Sequence, residues 1–124
     1  MIEEAYVSFE TAKLLKEKGF DEPCHYFYKP DSSDLYYGTE QINSQIGRFY
    51  NAPTQQMAMR WLREVHKIYI DISPTYSEVE KTIHFIWQIF DSNYDDIGDC
   101  EIFYSKYEKA VEDAIKYCLE HLIK

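Results

Sequence analysis

Several groups of residues in this sequence have types and spacings that could support chemistry. Asp91-x-Asn93-x-Asp95 repeats the start of a calcium-binding loop, in which alternate oxygens surround a hard cation. The match stops there. Asp96 stands where such a loop needs glycine for its sharp turn, and Ile102 stands where a bidentate glutamate should close the site. The segment is therefore expected to be a solvated acidic turn that bends near Gly98. Cysteine and histidine are also available: Cys24-His25, Cys100, Cys118, His66, His84 and His121. Zinc sites bring ligands in pairs two to four residues apart. The one such pair on a helix is Cys118 and His121, but Cys118 falls inside an apolar stripe. It reads as a small buried hydrophobe, with His121 exposed near the terminus. No nucleophile–base motif is visible. The expectation is a non-enzymatic protein with no catalytic residue, cofactor or metal ligand.

A third group is basic. Gln56, Arg60, Arg63 and Lys67 fall on the outer side of one helix, with Gln55 near its start. Those residue types suit phosphate and base contacts. Each candidate helix nevertheless leads into a strand, so the second helix of a helix-turn-helix is missing. The net charge of −9 also repels nucleic acid. Nucleic-acid binding is thus the alternative reading. The main one is a protein-interaction or regulatory module using Gln56, Arg60, Arg63 and Lys67. A fourth group, the acids of Asp91–Glu101 together with Glu3, Glu4 and Glu10, suits a basic protein partner and charge-steered association.

The element that positions the basic group is Pro53 to Ile72. Pro53-Thr54 is a helix start, since Thr can cap free N–H groups and Pro blocks helix upstream. Met57, Ala58, Trp61, Leu62 and Val65 follow at helical spacing and are expected to form the buried stripe. After His66 the period becomes two. Ile68, Ile70 and Ile72 then face one way and Tyr69, Asp71 and Ser73 the other.

Around this unit, Ser8 caps a first helix that stops at Gly19, with Val7 and Ala12 placed as a hydrophobic staple. Residues 24–38 read as a hairpin turning at Pro30–Ser33. Residues 39–52 read as a loop holding a short strand near Arg48–Tyr50. Pro74–Lys81 reads as a polar connection. Thr82–Phe90 is a strand with Ile83, Phe85, Trp87 and Ile89 on one face, pairing antiparallel with Lys67–Ser73. Ser105 and Glu108 form a capping box before a last helix, whose stripe runs from Tyr107 through Ala110, Val111, Ala114, Ile115, Cys118 and Leu119 to Leu122. The predicted fold is a single α+β domain over 1–124. It has an antiparallel sheet of about four strands and three helices, in the order αββ-αββ-α.

Composition sets outer limits. A chain of 124 residues can bury a sufficient core without staples. Aromatics make up 17%, mostly from 12 tyrosines, which suit half-buried sheet faces and contact surfaces alike. Tyr-rich faces also suggest a homodimer. The three cysteines without a CxxC point to reduced thiols and a cytoplasmic location. No apolar run approaches the ~20 residues of a membrane span.

Three blocks, VSFETAKLLKEKGFDEPC, APTQQMAMRWLREVHKIYIDI and YEKAVEDAIKYCLEHLI, resemble a group of small uncharacterised proteins of gut anaerobic bacteria and their phages. They cover about half of the chain. The resemblance implies a bacterial or phage-derived intracellular protein. It assigns no activity and no functional residue.

Overall fold

The computed structural model describes residues 2–42 and 48–124. Helix α1 (Phe9–Glu17) starts as expected, with the Ser8 hydroxyl accepting from the Thr11 N–H. It ends at Gly19, whose φ of 91° is open to glycine at little cost, and Phe20 folds back into the core. Strands β1 (Cys24–Tyr28) and β2 (Leu35–Ile42) form the expected hairpin, with Tyr28 opposite Leu35 and Tyr26 opposite Tyr37. On the other edge of β1 lies β3 (Tyr50–Asn51), close to where a short strand was expected. The loop reading of 39–52 is only partly tested. β2 extends through residue 42, and 43–47 lie outside the described residues.

Helix α2 (Gln55–His66) is capped by Thr54 and ends where Lys67 enters the left-handed region at φ 57°. That reversal delays the next strand, so β4 runs Tyr69–Ser77. It pairs along its full length with β5 (Thr82–Phe90), from Tyr69–Phe90 to Ser77–Thr82. The polar connection expected at Pro74–Lys81 is thus shortened to a tight turn. Pro74 fits within a strand because β4 is at the sheet edge, and because the carbonyl of its partner Phe85 accepts from the Tyr104 N–H and so needs no donor from Pro74.

One strand was not anticipated. β6 (Asp96–Asp99) pairs with the other edge of β5. Its Asp-Ile-Gly-Asp composition reads as loop, and only backbone pairing with β5 makes it a strand. In β6, Gly98 lies beneath the Tyr117 ring, where an added Cβ would come within 2.7 Å.

Helix α3 (Tyr107–Tyr117) continues as a wider π-helical turn over Cys118–Leu122. The Ser105–Glu108 capping box does not form. Lys106 is the N-cap and no side chain caps the helix, because Ser105 lies one residue too early. The rest of the expected stripe holds: Ala110, Val111, Ala114, Ile115, Cys118 and Leu119 are all fully buried.

Among the described residues the architecture is α+β with three helices. In place of one sheet of about four strands there are two antiparallel three-stranded sheets, ordered β2-β1-β3 and β4-β5-β6. Chain order becomes αβββ-αβββ-α. The two halves are not spatial copies, since the central strand is the first in one sheet and the middle one in the other. α3 packs on β4 and β5 and also touches α1 and α2, so a single hydrophobic core joins both sheets.

Candidate functional site

The outer face of α2 carries the basic group as expected, and Gln56, Arg60, Arg63 and Lys67 are all exposed. It is not a free cationic strip. Arg60 Nε pairs with Glu64 at 3.0 Å, and the Lys67 ammonium donates to the Glu64 carbonyl at 3.0 Å. Two apolar assignments fail. Met57 is 42% exposed and Val65 57% exposed. Met57 sits at the margin of the helix's buried arc. By helical spacing Val65 belongs to the same arc as Ala58 and Leu62, but it borders an open groove of about 290 Å³ that it shares with Glu22, Arg60 and Glu64. Gln55 moves the opposite way. It is 5% exposed, and its amide donates to the Glu108 carbonyl at 2.9 Å and to Glu112 Oε1 at 3.3 Å, so it cannot contact a partner.

The exposure of Met57 gives the helix a neighbour that spacing alone did not reveal. A second groove of about 210 Å³ lies against it, lined by Tyr6, His25, Tyr26 and Tyr37. These rings pack on one another: Tyr6–Tyr26 at 4.4 Å, Tyr26–Tyr37 at 5.1 Å and His25–Tyr37 at 5.5 Å. Met57 borders both grooves, so the tyrosines and Arg60 belong to one continuous surface. Pro23 and Pro53 stiffen its floor. The signal was present in the sequence as Tyr26 and Tyr37. Their juxtaposition with Met57 depends on the segment around Ala5–Val7, which pairs with Pro53–Gln55 and brings Tyr6 alongside Thr54.

The acidic loop is a turn closed by its own backbone. Asp91 Oδ1 accepts from the N–H groups of Asn93 at 2.9 Å and Asp95 at 3.0 Å. Tyr94 adopts φ 65°, uncommon for an aromatic residue, and its ring stacks on Phe90 at 4.7 Å. No group of three or more carboxylate, cysteine or histidine ligands converges among the described residues.

The cysteines and histidines are dispersed. Burial pushes the Cys24 thiol up to about 11 and the Cys118 thiol up to about 12, the reverse of nucleophile activation. Among the described residues, no hydroxyl or thiol hydrogen-bonds a histidine. Buried His84 contacts Glu80 through Nε2 at 2.6 Å, and His25 Nδ1 meets the Gly38 carbonyl. One polar chain runs from Trp87 Nε1 to the Tyr104 hydroxyl at 3.2 Å and on to Asp113 at 3.0 Å. Burial raises the Tyr104 pKa, so it acts as a neutral donor in that relay and not as a base.

No protein-family model, curated protein or solved structure matches this chain. Among the described residues, no helix is long and apolar enough to cross a membrane.

Proposed function

We propose that this protein is a non-enzymatic interaction module, of bacterial or phage origin, that binds a partner protein through Tyr6, Tyr26, Tyr37, Met57 and Arg60. The observation that carries this reading is the continuity of the surface. Three tyrosines, an exposed methionine and an arginine share one groove system, with Tyr37 60% exposed. Tyrosine, methionine and arginine are the residue types enriched at the centres of protein interfaces, where rigid rings bury large area at low entropic cost. Gln56, Arg63 and Lys67 then form a polar rim, which affects association rate more than affinity.

The test is affinity capture from a bacterial lysate, using wild type and two folded variants, Tyr37→Ala and Met57→Glu. A stoichiometric partner retained by wild type and lost by both variants supports the reading. Equal retention by the variants, or no stoichiometric partner, refutes it. Sedimentation velocity identifies a homodimer: in that case wild type sediments as a dimer and Met57→Glu as a monomer.

A further inference from the structure

A separate surface shares no lining residue with the tyrosine grooves. The Tyr69–Phe90 end of the β4–β5 ladder and the Asp91–Asp95 turn enclose an open cleft of about 470 Å³. Its walls are Tyr69, Phe90 and Tyr94, and its polar groups are Asp71, Gln88 and Asp91. The cross-strand pairs Tyr69–Phe90 and Asp71–Gln88 stand two positions apart, and therefore on the same sheet face. Among the described residues, no lysine or arginine lines the cleft. Tyr94 is 79% exposed and stacks on Phe90 with only 16° between ring planes, leaving its outer face bare. Each carboxylate keeps one oxygen outside its local bonds. Asp71 uses Oδ2 for the Ser73 hydroxyl, and Asp91 uses Oδ1 for two backbone N–H groups.

We propose that this cleft binds the guanidinium group of an arginine presented by a protein or peptide partner. A cation is drawn to an aromatic face by the ring quadrupole and to the carboxylates by charge. The cleft distinguishes between cations by shape. An ammonium or methylammonium is held best when ring faces surround it, whereas this site is open and offers one bare face with carboxylates beside it. A guanidinium is planar and weakly hydrated, so it stacks on that face while its N–H edge donates to Asp71 and Asp91. The exposed Asp95, Asp96 and Asp99 extend the negative field around the cleft and favour a basic stretch around that arginine. The proposal stands independently of the tyrosine grooves.

Amide NMR titration of the whole chain with N-acetyl-arginine amide, and in parallel with N-acetyl-lysine amide, tests it. Saturable shifts confined to Tyr69, Gln88, Phe90, Asp91 and Tyr94 are expected, with a Kd of order millimolar for a single side chain. Lysine amide should bind at least about threefold more weakly, given its compact, strongly hydrated charge. Tyr94→Asn, which tolerates the left-handed backbone, and Asp71→Asn should each weaken binding about fivefold. Three results overturn the proposal: no saturation by about 50 mM, equal response to the lysine analogue, or shifts spread over all exposed carboxylates and unchanged in the two variants.

Discussion

Removing the Glu112 carboxylate should unfasten the three helices from one another. Four donors converge on it. The Ser8 N–H and hydroxyl reach Oε2 at 3.2 Å and 2.7 Å, the Thr11 hydroxyl donates to the same oxygen, and the Gln55 amide reaches Oε1 at 3.3 Å. One side chain of α3 thus receives donors from the N-termini of both α1 and α2. Thr11 is fully buried and Gln55 almost so, which means water cannot freely replace the lost acceptor. Gln55 keeps its bond to the Glu108 carbonyl, and the Thr11 and Ser8 hydroxyls, 3.2 Å apart, can still bond each other, so the loss is less than four full bonds. Hydrogen bonds to a charged group contribute about 1.5–3 kcal/mol each, and a net cost near the top of that range, about 3 kcal/mol, is expected for Glu112→Ala. With a urea m-value of about 1.5 kcal/mol/M, the unfolding midpoint should fall by about 2 M. Glu112→Gln should lose less, because its carbonyl can still accept the three donors at the Oε2 position and its NH₂ then faces only the Gln55 amide. Repeating both changes in a Thr11→Val background gives a coupling energy, expected above about 1 kcal/mol for residues in one network. A midpoint change below about 0.3 M, at unchanged m-value, would refute the idea that this carboxylate joins the helices.

Further outcomes follow from single positions. Gly98→Ala forces the Tyr117 ring to move and should destabilise by about 1–3 kcal/mol, with Tyr117→Leu restoring part of the loss; chemical denaturation measures both. Cys24 and Cys118, with thiols at about 11 and 12, should resist iodoacetamide at pH 8 in the folded protein and react in urea; rapid native labelling of either contradicts the burial argument. Burial lowers the pKa of His66 below its ordinary 6.5, and its Nε2 has no hydrogen-bond partner. The unfolded chain then binds this proton more readily, so the stabilisation is present above pH 6.5 and is lost as pH falls below it. His66→Gln should flatten the midpoint-versus-pH curve between pH 7.5 and pH 5, and an unchanged slope would show that His66 is not its source.

The sequence was sufficient at most positions where the cause was local, the unformed Ser105–Glu108 box excepted. Ser8 and Thr54 cap the helices they precede because an N-cap needs only a hydroxyl and the following N–H groups. The stripe of α3, the Ala58, Trp61 and Leu62 part of the α2 stripe and the strand Thr82–Phe90 follow from periods of 3.6 and 2, and Gly19 from its left-handed backbone. The outward position of Gln56, Arg60, Arg63 and Lys67 is the complement of the α2 stripe, and so was legible for the same reason.

What the tertiary structure alone decided depended on neighbours distant in the chain. Asp96–Asp99 is a strand only because β5 offers it a free edge, and Pro74 is tolerated only because Phe85 bonds elsewhere. Gln55 is buried because Glu112, 57 residues away, supplies a carboxylate for it. Periodicity assigns a residue to a helix face, but whether that face is covered depends on what packs there. An open groove left Met57 and Val65 exposed on a stripe that spacing had assigned to the core. The tyrosine grooves arise in the same way, from segments whose adjacency no local pattern encodes, whereas the Tyr69–Tyr94 cleft is built on the β4–β5 pairing that the sequence pattern already indicated.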